Sequence, residues 1–239
     1  MKKSKPESFG QHVVEHVARA LEELRDPVKA IGMAAYMKTE MPFYGVQKPD
    51  RIQILRELKK DFEPANASEY ADAVLFLWSQ PHREEKYFAI NYAHMFREFV
   101  VRDSMPIYER MIREGAWWDF VDPLSADLVG GVYSRERKAL KPLMNKWSKD
   151  KDKWIRRGSL LCHLHHKHDT DHEQLFGQCL LLAGEKEFFI QKAIGWALRE
   201  FSKTDPKAVK KFLRENENVL APLSYREGAK HLIRTGAVR

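Results

Sequence analysis

Apolar residues recur at intervals of three and four along most of the chain, which is the spacing that predicts amphipathic helices. The first such segment carries Val13, Val17 and Leu21 on one face. The same spacing returns around residues 52–58, 73–77, 88–99, 107–112, 134–147, 160–164, 175–182 and 190–201. Breakers fall between these segments, at Gly45, Pro64, Pro81, Gly184 and Pro206. No segment alternates regularly between apolar and polar residues, so we predict helices without strands.

A weak internal repeat with a period of 35 residues runs through the second half of the chain. Residues 154–157 stand 35 positions after residues 119–122 and 35 positions before residues 189–192. A period of this length fits two short helices and two turns, and stacked helix pairs form a curved solenoid in which equivalent positions line one side. Three charged residues occupy the shared position, and we predict that they lie in one row: Asp122, Arg157 and Lys192.

The composition of the 239-residue chain is basic, with 41 lysines and arginines against 34 aspartates and glutamates. The excess favours a polyanionic partner such as nucleic acid, although a solvated basic surface explains it equally well. No apolar run long enough for a membrane span is found, and no apolar stretch follows the first basic residues as in a signal peptide. Cys162 and Cys179 lack metal-ligand spacing, so we expect reduced thiols and a cytoplasmic protein.

Two aromatic segments carry candidate chemistry. Trp118 and Asp122 are four residues apart and are expected on one helix face. Together with Trp196 and Arg157 they would supply flat π faces, an acid and a guanidinium, a set suited to holding a cation beside phosphates. A plainer interpretation stays open, with the indoles in the core and Asp122 as an ion-pair partner of Arg157. Three further tryptophans are expected in the core: Trp78, Trp117 and Trp147.

Further basic residues are candidates for binding phosphates. Lys192 shares the repeat position, and Arg199 follows it by seven residues, or two helical turns. Lys48 and Arg51 stand near a predicted helix start, after residues 45–47, where free backbone N–H groups would favour an anion.

A histidine-rich stretch at residues 162–172 raises the question of a metal site, since His165, His168 and His172 have helical spacing. Lys167 interrupts the set, and histidines are common near a helix end because of the helix dipole. We therefore predict no metal and no cofactor. The sequence contains no Gly-rich phosphate loop, Ser-His-Asp order or paired catalytic carboxylate motif, so neither ATP hydrolysis nor acyl transfer is indicated.

Residues 188–200, FFIQKAIGWALRE, followed by APLSYRE at 221–227, resemble the AlkD-type DNA alkylation repair glycosylases. So do WWD at 117–119 with the following Val121-Asp122, and Tyr36-Met37-Lys38 with GVQKP at 45–49. The resemblance covers the chain from about residue 10 to residue 235. It implies an all-α superhelical solenoid of about six HEAT-like antiparallel helix pairs with a concave DNA-binding face. We expect one domain over residues 1–239, with a flexible basic segment at residues 1–8.

The resemblance also implies an activity, the hydrolysis of the N-glycosidic bond of N3- and N7-alkylated purines in duplex DNA without a pocket for a flipped base. Asp122 matches the family's catalytic aspartate, and Trp118 and Trp196 match its two active-site tryptophans. Residues at positions that face DNA in the family are Tyr36, Gln47, Lys48, Arg51, Arg157, Phe188, Phe189, Lys192 and Arg199. One of the two phenylalanines is expected to be a packing residue, and Ile52 stands where a further basic residue is expected.

Two alternatives keep the same fold. A non-catalytic helical-repeat scaffold that binds DNA or a protein partner would explain the charge and the helices, but not why the aromatic, acidic and arginine positions coincide with those of the family. A family member that binds branched DNA and has lost the activity is the second, and the presence of Asp122 argues against it. We expect a monomer whose partner is double-stranded DNA that contains alkylated purines.

Overall fold

The computed structural model describes residues 8–237, and the regular elements within that range are all helical. The all-α prediction is therefore confirmed. The chain falls into two compact units, the first ending at Ile107 and the second beginning at Tyr108; a single domain over residues 1–239 stays a prediction. Most of the predicted basic segment lies outside the described residues, whereas its last residue, Ser8, caps the first helix. None of the described helices combines the length and the apolar character needed to cross a membrane.

The first unit contains α1 (Phe9–Glu23), α2 (Pro27–Met37), α3 (Lys48–Asp61), α4 (Ala67–Ser79) and α5 (Arg83–Met95), with 3-10 turns at Arg97–Phe99 and Arg102–Ser104. Helix α1 begins at a capping box, in which the Ser8 side chain accepts the Gln11 N–H and the Gln11 side chain accepts the Ser8 N–H. Its predicted apolar face, Val13, Val17 and Leu21, is fully buried, and α1 packs against α4. The spacing of apolar residues therefore predicted this part of the core correctly.

The second unit begins within α6 (Met105–Gly115), at Tyr108. Its elements are α7 (Trp118–Pro123), a π-helical turn (Leu124–Val129), α8 (Gly130–Arg135), α9 (Arg137–Trp147), α10 (Lys153–Leu161), a 3-10 turn (Lys167–Asp169), α11 (His172–Leu181), α12 (Phe188–Phe201), α13 (Pro206–Glu215) and α14 (Pro222–Arg234). Helix α12 packs against both α10 and α14, and it buries Ile190, Ala193 and Ile194 in the core of this unit. Helix α7, which carries Trp118 and Asp122, also packs against α10, so α10 contacts both helices that carry the predicted catalytic residues.

Helices α12 and α14 approach each other closely at Gly195. A Cβ atom on Gly195 would lie 2.4 Å from the Cβ of Glu227 and 2.9 Å from the carbonyl oxygen of Ser224. The Ser224 hydroxyl donates a hydrogen bond of 3.0 Å to the carbonyl of Gln191, one turn before the glycine. Only a residue without a side chain fits at this contact, which brings the backbone of α14 against that of α12.

Four helices were not predicted from apolar spacing: α2, α7, α13 and α14. Of these, α7 was expected from the four-residue spacing of Trp118 and Asp122. Pro206 was predicted to separate helices, but it occupies the first turn of α13, where Asp205 caps the helix by accepting the Ala208 N–H. Proline is favoured there because the first helical N–H groups have no partner within the helix. Three predicted segments also end or break earlier than expected, since Phe96 ends α5, Glu136 separates α8 from α9, and α10 ends at Leu161 within the predicted segment 160–164.

Two of the three tryptophans expected in the core are buried, and the third is not. Trp78 and Trp147 are buried, as predicted. Trp117 is only half-buried, and its ring packs against Trp154 and Phe189, at centroid distances of 6.0 Å and 5.5 Å. It belongs to an aromatic cluster beside the cavity described next.

Candidate active site

A cavity of about 390 Å³ lies in the second unit. Its described lining consists of Trp118, Asp122, Arg157, Phe188, Phe189, Lys192, Trp196, Arg199 and Glu227. All of these residues except Glu227 were singled out from the sequence. In particular, the three residues that share the 35-residue repeat position line this one cavity.

The short helix α7 supplies an indole and a carboxylate to the cavity. Trp118 is its first residue and Asp122 lies four residues later, so both side chains leave the helix on one face, as predicted. The chain then continues into the π-helical turn Leu124–Val129, which is buried and packs against α10. Single π-helical turns frequently occur at functional sites, because they shift the face that a helix presents. Packing of this segment on α10 places Asp122 next to Arg157.

Asp122 and Arg157 form a bidentate ion pair. Arg157 Nε donates to Asp122 Oδ1 at 2.7 Å, and Arg157 Nη2 donates to Asp122 Oδ2 at 2.8 Å. Arg157 Nη1 donates to the carbonyl of Phe189 at 2.5 Å. The guanidinium is only 5% exposed, compared with 15% for the carboxylate. The plainer interpretation of the sequence, that the two residues are ion-pair partners, therefore describes the geometry correctly.

The burial of Asp122 changes its acidity. Loss of hydration raises the pKa of the Asp122 carboxyl from its ordinary value, and the hydrogen bonds and charge of Arg157 oppose that rise. The carboxylate has room for about four hydrogen bonds, of which Arg157 takes two. The remaining lone pairs can face a cation or a water molecule in the cavity.

Aromatic side chains form much of the cavity wall. Trp118 and Trp196 are both partly exposed, so their faces are accessible from the cavity. Phe188 is 56% exposed, whereas Phe189 packs its ring against Trp154 at a centroid distance of 4.9 Å. The structure thus identifies Phe189 as the packing member of the pair and leaves Phe188 exposed. An accessible set of π faces beside a carboxylate suits a ligand with positive charge.

Glu227 belongs to the 221–227 segment that carries the family resemblance, but it was not predicted as a site residue. Its carboxylate contacts three cationic side chains. Its Oε1 lies 3.0 Å from Lys192 Nζ and accepts a hydrogen bond of 2.6 Å from Lys230 Nζ. Its Oε2 accepts a hydrogen bond of 2.6 Å from Arg199 Nη1. Glu227 stands 35 residues after Lys192, so one further step of the repeat would have found it.

The charge state of Glu227 follows from these contacts. Burial would raise its pKa, but the hydrogen bonds from Lys230 and Lys192 lower the pKa of Glu227 to about 2. The residue is therefore ionised at neutral pH. The described lining carries three cations, Arg157, Lys192 and Arg199, and two anions, Asp122 and Glu227.

Four residues expected to face DNA belong to the first unit and do not line the cavity: Tyr36, Gln47, Lys48 and Arg51. Tyr36 is 72% exposed on α2, and Lys48 is exposed at the start of α3. Arg51 places its guanidinium over the Tyr87 ring, 4.6 Å from the centroid. These side chains are placed at the surface of their own unit or just beneath it.

Backbone N–H groups of the loop that precedes this helix start are already occupied. The backbone N–H groups of Gly45 and Val46 are not free, because the buried carboxylate of Glu84 accepts them at 2.8 Å and 3.1 Å. Glu84 also accepts the N–H of Tyr44 at 3.1 Å. The loop before α3 is therefore held from inside the unit by a buried carboxylate.

The histidine-rich stretch does not gather a metal-ligand set. His163 and His166 are buried, and burial lowers the pKa of His163 to about 3, so its ring is neutral. His163 Nε2 pairs with Gln178 Oε1 at 3.1 Å, while His165 pairs with Asp127 at 3.2 Å on the surface. Within residues 8–237, no three His, Cys, Asp or Glu side chains come together so that they could hold a metal ion.

The chain is similar to known proteins over most of its length. The family model described as "DNA alkylation repair enzyme" matches residues 17–232. The chain is also similar to a solved structure, "Predicted DNA alkylation repair enzyme from Enterococcus faecalis", with 30% sequence identity and a TM-score of 0.76. The similarity covers 87% of this chain and 96% of that one. No curated protein gives a significant match to the chain.

Proposed function

Since the chain belongs to the DNA alkylation repair enzyme family, we propose that it is a DNA glycosylase that removes N3- and N7-alkylated purines from duplex DNA. One observation carries the proposal: Trp118, Trp196 and Asp122 come from two different helices and line the same cavity. The alternative of a non-catalytic scaffold requires no such convergence of indoles and an acid.

The chemistry of the substrate explains why this set would suffice. Alkylation at N3 or N7 gives the purine a positive charge, so the base is already a good leaving group. The bond between C1′ and the purine nitrogen breaks, its electron pair goes to the base, and the base departs neutral. Positive charge then develops on the deoxyribose. A site for this reaction has to stabilise a cation, and it needs no strong general acid.

The lining residues can supply that stabilisation. Each indole face contributes about 0.5–2 kcal/mol toward a desolvated cation, and the preorganised carboxylate of Asp122 contributes a larger electrostatic share. A total of about 5 kcal/mol corresponds to an acceleration of about 10³–10⁴-fold. Such modest catalysis is adequate for a bond that is weakened by the alkylation itself.

Asp122 also has a role in the hydrolytic step. A water molecule attacks C1′ and passes a proton to the Asp122 carboxylate, which releases it to solvent. The products are the free alkylated base and an abasic site. Arg157 holds both oxygens of the carboxylate, so that the lone pairs left over point in a fixed direction.

Arg157 and the exposed cations therefore have different proposed tasks. Arg157 donates three hydrogen bonds within the protein and is 5% exposed, which favours positioning of Asp122 over contact with a phosphate. Lys192 and Arg199, with side chains 38% and 30% exposed, are better placed to bind phosphates near the lesion. Phe188 lies exposed beside them.

We propose that the residues of the first unit contact the DNA backbone. The exposed side chains of Tyr36, Gln47 and Lys48 suit such contacts, and Arg51 adds positive charge beside them. Contacts of this kind position a duplex without reading its sequence.

The proposed reaction needs no extruded base, because the two indoles that would contact the sugar are themselves partly exposed. An enzyme of this kind would tolerate bulky N7 adducts, since the modified base would not have to enter an enclosed pocket. The comparison is between excision of 7-methylguanine and of a bulky N7 adduct from the same duplex. Activity on the small adduct alone would contradict this part of the proposal.

The activity is tested by incubating the protein with methylated duplex DNA and measuring free 7-methylguanine and 3-methyladenine. We expect wild-type protein to release base, and Asp122→Asn to slow the release by about 10²–10³-fold. The matched control is Asp150→Asn, since Asp150 forms a comparable bidentate pair with Arg113 but does not line the cavity. Binding of duplex by wild-type protein without release of base would favour the scaffold alternative.

A further inference from the structure

Glu227 organises one side of the cavity. It is 7% exposed and lies against the side chains of Lys192, Arg199 and Lys230, which are 38%, 30% and 52% exposed. Three long, flexible side chains would otherwise lose considerable rotamer freedom on binding a phosphate. The buried carboxylate holds them in place before any ligand arrives.

The position of Glu227 is set by the backbone. At Gly195 the two helices are so close that a Cβ atom there would lie 2.4 Å from the Cβ of Glu227. Lys192 lies three residues before Gly195 and Arg199 four residues after it, one turn to each side. The close contact therefore places the Glu227 carboxylate between the two cations of α12.

The cavity thus divides its charges into two separate groups. Asp122 pairs with Arg157, whereas Glu227 pairs with Lys192 and Arg199. Among the lining residues, Asp122 is the other carboxylate that a released Lys192 could approach. An ammonium beside Asp122 would oppose both the stabilisation of a cationic sugar and the acceptance of a proton.

We propose that Glu227 is a positioning residue, which holds Lys192 and Arg199 toward substrate phosphates and keeps Lys192 away from Asp122. This inference rests on the proposed glycosylase function. It assigns Glu227 no contact with the reacting atoms. The hydrogen bonds that lower the pKa of Glu227 to about 2 keep the carboxylate charged throughout the neutral range, as the role requires.

The test compares Glu227→Gln with wild-type protein in two measurements. The first is the single-turnover release of 7-methylguanine as a function of pH. We expect the rate to fall by about ten-fold, and the acid limb of the profile to move to lower pH, because a released Lys192 favours the charged form of Asp122.

The second measurement is the affinity for unmodified duplex as a function of salt concentration. We expect the affinity at low salt to stay near the wild-type value, because the loss of preorganised cations is offset by the loss of the competing carboxylate. The slope should steepen by about one, since Glu227 no longer neutralises these cations.

The matched control is Glu185→Gln. Glu185 forms a bidentate pair with Arg156, at 2.6 Å and 2.8 Å, and does not line the cavity. We expect this variant to keep the wild-type rate, pH profile and salt slope. If Glu227→Gln fails to fold, Glu227→Asp keeps the charge on a shorter side chain, and we expect it to retain the pH profile with an intermediate rate.

Two results would overturn the inference. One is a Glu227→Gln variant with wild-type rate, profile and slope. The other is a variant whose melting temperature, affinity and rate all fall together while the pH profile stays in place, because this would show a purely structural role. Absence of base release by the wild-type protein would instead refute the proposed function, and the salt slope would still report whether Glu227 occupies the two cations.

Discussion

Arg157 joins the carboxylate of Asp122 to the backbone of Phe189, so that one buried guanidinium connects α7, α10 and α12. The two side chains that form the ion pair are 35 residues apart in the sequence. A buried pair of this kind costs hydration on both sides and is retained most readily where its orientation matters. In the proposed reaction that orientation determines where the lone pairs of Asp122 point.

Truncation of either indole is expected to slow excision without unfolding the protein. Trp118→Ala and Trp196→Ala each remove a π face worth about 0.5–2 kcal/mol, which corresponds to about 2- to 30-fold in rate. Single-turnover release of 7-methylguanine measures the loss. Trp118→Phe keeps a weaker π face and should lose less. Unchanged rates in both alanine variants would remove the indoles from the mechanism.

The rate of excision is expected to depend on pH through Asp122. Burial raises the pKa of this carboxyl, and the reaction needs its ionised form, so the rate should fall as the pH falls through a value above the ordinary aspartate pKa. Arg157→Gln removes the opposing cation. The pKa of Asp122 should then rise further, and the acid limb should move to higher pH. Rates measured from about pH 4.5 to about pH 8 would show the shift.

An acid limb that stays in place in Arg157→Gln would contradict the assigned role of Arg157. If duplex affinity and its salt dependence fell instead, Arg157 would be a phosphate contact, as the resemblance to the family first implied.

Glu227 is expected to make folding stability depend on acid. Its pKa lies near 2 in the folded protein, against an ordinary value of 4.5. A carboxyl with a depressed folded pKa contributes stability above its unfolded pKa and loses it as the pH falls toward the folded value. The melting temperature of wild-type protein should therefore drop between about pH 5 and about pH 2, and Glu227→Gln should show a smaller drop. Equal drops in both proteins would argue against the charge state assigned here.

Gly195→Ala is expected to destabilise the second unit, because the new methyl group would meet Glu227 and Ser224 at 2.4 Å and 2.9 Å. Overpacking of this kind costs about 1–3 kcal/mol. Gly177→Ala is the matched control, since nothing lies within 4 Å of a Cβ at this helical position. There the substitution should be neutral or stabilising by up to about 1 kcal/mol. Urea unfolding measures the free energy of unfolding of the two variants. Equal values would mean that α12 and α14 can move apart without cost.

Much of the fold follows from the order of apolar residues. Val13, Val17 and Leu21 lie on one side of any helix that contains them, so their burial against a neighbouring helix required no knowledge of the neighbour. Helix α13, which begins at Pro206, was not predicted in this way. A proline can either separate two helices or occupy the first turn of one, and its position in the sequence does not distinguish the two cases.

In the candidate site, too, some features follow from the sequence and others require the tertiary structure. The sequence by itself determined that Trp118 and Asp122 share a helix face, and that Asp122, Arg157 and Lys192 recur at one interval, because local helix geometry and repeat length are properties of the chain. Only the tertiary structure decided that Arg157 forms its ion pair with Asp122, and that Phe189 is packed while Phe188 is exposed. It also decided that the Glu227 carboxylate forms ion pairs with the two cations of α12. Those outcomes depend on how closely the helices approach one another in three dimensions, as the backbone contact between α12 and α14 at Gly195 illustrates for Glu227.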